Sequence, residues 1–205
     1  MQLGLCYSGG KDSSLAALLL DRFYDVTLVT VHFGITDDWQ CARGTAMTLG
    51  FPFERVELDR DVAEDAVDRM LEDGYPRNGI QQVHEHALEA VAAMDLPGDG
   101  DGDGFDVVAD GTRRDDRVPT ISRATAQSLE DRHDVDYVAP LTGFGRNAVD
   151  RLVETTLEVE VGPSEEIQRA DYEAELRALL ADREGPAAVE EVFPEHEQTA
   201  VVGRR

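Results

Sequence analysis

Leu3-Gly4-Leu5-Cys6-Tyr7-Ser8-Gly9-Gly10-Lys11-Asp12-Ser13-Ser14 decides the fold. A short apolar run stops at Ser8-Gly9-Gly10, and beyond Ser13-Ser14 a second apolar stretch runs from Leu15 to Leu20 before Asp21-Arg22. That order reads as strand, glycine loop and helix. Such a loop aims unpaired amides and the positive end of a helix dipole at one spot beyond the sheet edge, and that spot attracts phosphate. Paired glycines let an anion approach the backbone, Ser8 and Ser13 add hydroxyl donors, and Lys11 adds charge. Asp12 suits the place only if a cation bridges it to the phosphates, and magnesium is the usual bridge. The spacing is shorter than GxxxxGK[ST], so this is not the loop of kinases and GTPases.

Working outward, Val26 to Phe33 (VTLVTVHF) is β-branched and nearly continuous in apolar character, as a central strand covered on both faces requires. Thr36-Asp37-Asp38 supplies N-cap chemistry for a helix to about Leu49, which Gly50 closes, and Phe53 to Leu58 reads as a third strand. Asp61 is expected to cap a helix to Asp73 with Gly74 as its stop. Ile80, Val83, Ala87, Leu88, Val91 and Met94 follow helical spacing. Phe105 to Ala109 is the fourth strand, Ala124 to Arg132 a helix, Val135 to Leu141 a fifth strand, and a helix begins near Asn147. The alternation predicts an α/β fold: a Rossmann-like, parallel, doubly wound sheet of about five strands that binds ligands beyond the carboxyl ends of its strands. Residues 1–154 form this domain in the sequence reading, and 155–205 a C-terminal extension packed on the core or presented to a partner.

Acidic side chains outnumber basic ones 43 to 19, giving a formal charge of −24 and a pI near 4.3. Lys11 is the only lysine. So acidic and lysine-poor a surface fits a cell with molar salt in its cytoplasm, where screening shortens the Debye length to about 3 Å. A lysine retained under that pressure points to chemistry. Hydrophobic residues, 41% of the chain, suffice for one core and exclude disorder as the main description. No apolar run approaches the roughly 18 residues of a membrane span, and Met1-Gln2-Leu3-Gly4 lacks the basic flank of a secretory signal. A cytoplasmic protein is expected. Cys6 and Cys41 are too few for a disulfide framework or a cysteine-built zinc site.

Ser8-Gly9-Gly10-Lys11-Asp12-Ser13 resembles the SGGxDS signature of the PP-loop, or N-type, ATP pyrophosphatases. It lies where that superfamily places it, directly after the first strand. The likeness extends over about residues 1–150 and is to small stand-alone archaeal members, similar to asparagine-synthase-like and tRNA-thiolation-like enzymes. It implies ATP and Mg2+ as cofactors, with ATP cleaved between its α- and β-phosphates. The acceptor's carbonyl or amide oxygen is adenylated, and a nitrogen or sulfur nucleophile then displaces AMP. Ser8, Gly9, Gly10, Lys11, Ser13 and Ser14 would hold the phosphates, and Lys11 and Asp12 would serve the chemistry. The second loop, Asp110 to Arg117, is similar to the region that faces the nucleotide. Gly111 and Thr112 would contact it, Arg113 and Arg114 would neutralise pyrophosphate, and Asp115 or Asp116 would share the metal with Asp12. His32 and Phe33 lie where the family contacts adenine largely through backbone. The partners implied are a small-molecule or tRNA acceptor, a separate ammonia- or sulfur-donating protein and a second copy of the chain. An ATP-binding regulator without turnover is the alternative.

Other signals are weaker. Asp99, Asp101, Asp103, Gly104 and Asp110 match a calcium-loop spacing, but the second half reads as a buried strand, so an acidic linker is expected. His84 and His86 point roughly 200° apart on a helix and do not readily share one metal; surface or core histidines are the default reading for both. Cys6 reads as a buried small hydrophobe. Asp171 to Leu180 is amphipathic, and Phe193-Pro194-Glu195-His196 ends the chain irregularly, as a capping edge over the cleft or simply as the end of the fold.

Overall fold

The apolar runs of the first 140 residues hydrogen-bond side by side as parallel strands in a computed structural model, which describes residues 1–95, 104–163, 167, 170–194 and 197–205. In chain order the elements are β1 (Gln2–Cys6), α1 (Lys11–Leu20), β2 (Asp25–His32), α2 (Trp39–Leu49), β3 (Phe53–Glu57), α3 (Arg60–Asp73), α4 (Arg77–Ala92) and β4 (Val107–Ala109). Then follow α5 (Arg123–His133), β5 (Asp136–Val138), a 3-10 turn (Pro140–Gly143), α6 (Arg146–Thr156), β6 (Leu157–Pro163), α7 (Tyr172–Glu184), α8 (Pro186–Val192) and β7 (Glu197–Arg204).

The main sheet has the order β3-β2-β1-β4-β5 and every pair in it is parallel. The strand order reverses at β1, so a crevice opens between the carboxyl ends of β1 and β4, where such folds place ligands. Alternate strand residues feed the two faces. Leu3, Leu5, Leu28, Val107 and Ala109 pack with α1, α2 and α6, whereas Val29, Val31 and Val108 pack with Ala87, Leu88 and Val91 of α4 and Leu129 of α5. Fully buried leucines such as Leu3, Leu5 and Leu28 each contribute roughly 1.5–3 kcal/mol of transfer free energy.

The chain after α6 does not end irregularly as expected. β7 pairs antiparallel with β6 from Leu157↔Arg204 to Pro163↔Glu197, with a bulge between Glu158 and Val159. Leu157, Ala170 and Val201 join the core beside α1. Leu176, Leu179 and Leu180 of α7 close a second cluster with Ala66, Val67 and Met70 of α3.

Some boundaries differ from the sequence reading for local reasons. Asp59, not Asp61, precedes α3, and Asp61 lies in the first turn, where its charge favours the helix dipole. β4 spans only Val107–Ala109; just before it Asp106 pairs with Gln2, its amide donating to the Gln2 carbonyl (2.9 Å) and its carboxylate accepting the Gln2 amide (2.7 Å). β5 stops at Val138 because Pro140 has no N–H to continue a ladder and starts the 3-10 turn. Asp99, Asp101 and Asp103 of the calcium-like spacing, and Glu195-His196, lie outside the described residues.

Candidate functional site

The loop from β1 into α1 lies at the sheet crevice. Gly9 adopts φ +79, a backbone state that only glycine takes without strain, and Gly10 is the extended residue before α1 with no side chain capping the helix. The first amide to find a helical partner is that of Ser14, which donates to the Gly10 carbonyl (3.1 Å). Among the described residues the amides of Gly9, Asp12 and Ser13 have no hydrogen-bond partner, and the Lys11 amide has only a long contact to Thr199 Oγ1 (3.4 Å). Ser13 Oγ donates to the Gly10 carbonyl (3.2 Å) and lies 3.4 Å from Ser8 Oγ.

The loop after β4 comes within contact of this helix end. A Cβ on Gly111 would sit 2.8 Å from the Ser13 amide nitrogen and 2.9 Å from Ser13 Cα, so only a glycine lets the two backbones approach this closely. Between them lies a cavity of about 420 Å3, lined by Ser8, Gly10, Lys11, Asp12 and Ser13 on one side and Gly111, Thr112, Arg113 and Asp116 on the other. Lys11 Nζ is 2.6 Å from Asp12 Oδ1. Arg113 grips Asp116 through Nε and Nη2 (3.0 and 2.7 Å), while its Nε stands 3.8 Å from Asp12 Oδ2. Burial alone would make the guanidinium easier to deprotonate, but Asp116, Asp12 and Asp115 outweigh it and hold Arg113 charged.

Several expected residues point elsewhere. Ser14 is fully buried and shares a hydrogen bond with the Tyr7 hydroxyl (3.1 Å), turned into the core because it falls on the inner face of α1. Thr112 spends its amide and hydroxyl on Asp110 Oδ1 (2.9 and 2.6 Å), so neither donor is free for a phosphate. Arg114 and Asp115 are exposed and do not line the cavity. Of the two acids expected to share a metal with Asp12, Asp116 lines the cavity and is held by Arg113, and no group of three or more metal-ligating side chains occurs among the described residues. Asp12, beside the open amides, would hold a magnesium ion, which needs only one or two protein carboxylates.

His32 and Phe33 also lie outside the cavity. Glu175 of α7, 3% exposed, accepts from the amides of Phe33 (2.7 Å), Ile35 (2.9 Å) and Thr36 (3.2 Å). The space left there is about 10 Å3, so the backbone expected to meet adenine is occupied by a carboxylate of the same chain.

Sequence reasoning missed the far end of the cavity. Asp110, 1% exposed, receives His84 Nε2 (2.8 Å) and the Tyr137 hydroxyl (2.9 Å) on Oδ2, and His84 Nδ1 lies 2.6 Å from the Tyr172 hydroxyl. Burial would raise the Asp110 pKa, but the hydrogen bonds from His84 and Thr112 overcome it and hold the carboxyl below its usual range. Burial, with Asp110 nearby, pushes the Cys6 thiol and the Tyr137 and Tyr172 phenols upward; Cys6 is half-buried at the cavity wall. His84 continues the buried stripe of Ile80, Val83 and Ala87 on α4, the signal that it faces inward. Tyr172 and Thr199 come from the C-terminal segment, which also grips the loop directly: the Ala170 amide donates to the Ser8 carbonyl and the Val201 amide to the Gly9 carbonyl, both at 3.2 Å.

These features define a class: a doubly wound α/β protein with an open, amide-lined loop at the switch point of its sheet. The chain belongs to the family of unknown function DUF7411, whose model matches residues 1–203. It is 42% identical over 205 residues to the uncharacterized protein MJ0690 of Methanocaldococcus jannaschii, covering 99% of this chain and 96% of that one. A crystal structure from the same organism, described as a predicted subunit of tRNA methyltransferase, superposes with a TM-score of 0.87 at 40% identity, over 100% of this chain and 98% of that one. The U34-tRNA thiolase NcsA of Methanococcus maripaludis with its [4Fe-4S] cluster is a distant likeness, with a TM-score of 0.45 at 17% identity over 75% of this chain and 56% of that one. No helix among the described residues is long and apolar enough to cross a membrane.

Proposed function

We propose that this protein binds ATP with its phosphates on the amides of Gly9, Asp12 and Ser13 and cleaves it to AMP and pyrophosphate to activate an acceptor in tRNA modification. The carrying observation is the open helix end. The amides of Asp12 and Ser13, without partners among the described residues, belong to residues that line the cavity with Lys11 and Arg113, against the loop that Gly111 brings into contact. An anion of high charge is what such donors stabilise. Bound ATP supplies an electrophilic α-phosphorus and a pyrophosphate leaving group. The chain's own residues would orient the phosphates with amides and offset their charge through Lys11 and Arg113, and Asp12 would hold a magnesium ion that adds further positive charge there.

The tRNA acceptor rests on the description of the Methanocaldococcus protein as a predicted tRNA methyltransferase subunit. A chain of charge −24 repels RNA, so contact with the acceptor is confined to a few arginines or shared with a partner subunit. The second reading is an ATP-binding regulator that does not turn its ligand over. It is favoured by the engagement of both cavity-facing carboxylates, Asp12 and Asp116, with Lys11 and Arg113.

The test is release of AMP and pyrophosphate in molar potassium chloride, with bulk archaeal tRNA as acceptor and ammonium or sulfide as nucleophile. The expected result is acceptor-dependent AMP release that Lys11→Ala lowers by about 10²–10³-fold. ATP binding without AMP release under either nucleophile favours the regulator, and absence of ATP binding ends both readings.

A further inference from the structure

We propose that Tyr172, backed by His84 and Asp110, takes the proton from the incoming nucleophile in the second half of the reaction above; the inference rests on that reading. Nothing in the gripping of phosphates requires an ionised carboxylate and an imidazole to be buried together at the floor of the same cavity. Asp110 and His84 are 1% and 4% exposed, a placement that desolvation opposes unless every lone pair and hydrogen is matched. Here they are matched in one direction.

Four donors converge on Asp110: His84 Nε2, the Tyr137 hydroxyl, and the amide and hydroxyl of Thr112. An ionised carboxylate only accepts, so His84 carries its hydrogen on Nε2, and in the neutral imidazole Nδ1 is a lone pair. Among the described residues the group at Nδ1 is the Tyr172 hydroxyl at 2.6 Å, which donates to it in this tautomer. The hydroxyl hydrogen is thus committed inward, and the phenol oxygen keeps its lone pairs for the cavity that Tyr172 lines. Tyr172 is also tied in place relative to the anion loop, because Ala170, two residues before it, donates its amide to the Ser8 carbonyl.

The proton transfer balances without another reagent. The nucleophile's N–H or S–H bond breaks, and its proton moves to the Tyr172 oxygen as the tyrosine's own proton passes to His84 Nδ1. The resulting imidazolium is neutralised by Asp110. The freed electron pair forms the bond to the acceptor carbon, and the carbon–oxygen pair leaves with AMP. Tyr172 is the catalytic residue in this scheme, and His84 and Asp110 are positioning residues that make it basic.

The experiment compares wild type with Tyr172→Phe, measuring ATP affinity by calorimetry and AMP release with bulk archaeal tRNA and ammonium chloride or sodium sulfide. The expected result is ATP affinity within about twofold of wild type and kcat lowered by about 100-fold, the usual yield of one general base. A second variant, His84→Ala, is assayed with added imidazoles of graded basicity; rates that recover in order of basicity are expected, whereas a space-filling role would make recovery follow size. Wild-type turnover by Tyr172→Phe, or rescue indifferent to basicity, overturns the relay and leaves the adenylation reading standing. ATP binding by wild type without AMP release overturns adenylation, and the relay with it.

Discussion

Gly111 carries the contact between the two halves of the cavity, and its substitution has a one-sided outcome. A methyl group there meets the backbone of Ser13 and Asp12 at 2.8–3.0 Å, and backbone cannot swing aside as a side chain can. Gly111→Ala is expected to cost about 1–3 kcal/mol of stability and to weaken ATP binding, read by thermal denaturation and by titration with the nucleotide. Glu175→Ala is expected to cost as much or more, because it strands the amides of Phe33, Ile35 and Thr36 in a buried place. Asp110 makes a prediction in acid. Its folded pKa lies below the unfolded value, so its stabilising contribution is complete above the unfolded pKa of about 3.9 and is lost as pH falls through the folded value. Wild type is expected to lose stability more steeply below about pH 4 than Asp110→Asn, by denaturant titration at successive pH values. At this scale Ser8 to Ser13 were legible because glycine and hydroxyl chemistry is local to a turn. The partners of His84, Asp110 and Tyr172 were not, because residues 84, 110 and 172 lie on different elements and meet only when those elements pack.

β7 is the element whose role the chain pattern concealed. Its alternation is weak, yet it delivers Thr199 Oγ1 to the Lys11 amide and the Val201 amide to the Gly9 carbonyl, and it accepts the Thr45 hydroxyl on the Val201 carbonyl (3.3 Å). Thr199→Val keeps the shape and removes the polar contact. It is expected to change stability by no more than about 0.5–1.5 kcal/mol while altering ATP affinity measurably, since the Lys11 amide is then free for the ligand. Unchanged affinity in calorimetry would show that the amide takes no part in holding the anion. The parallel strands of the main sheet were readable for the opposite reason: buried on both faces, they must be apolar throughout, and glycine or acidic caps mark the helices between them.

For the whole molecule, charge dominates. With −24 on 205 residues, self-repulsion opposes the compact state at low ionic strength and is screened within about 3 Å at molar salt. The melting temperature is expected to rise as potassium chloride is increased from about 0.1 to about 1 M, by calorimetry; a flat response would remove charge repulsion as a term in its stability. By itself the sequence determined the doubly wound parallel core and the glycine loop that opens α1, since periodicity and turn chemistry act over a few neighbouring residues. Only tertiary structure decided which donors stay free, that Ser14 and Thr112 are spent elsewhere, that Glu175 covers the backbone after β2, and that the last fifth of the chain walls the cavity. Those outcomes depend on contacts between residues far apart in the chain, and no local pattern encodes which hydrogen bond a buried group will finally make.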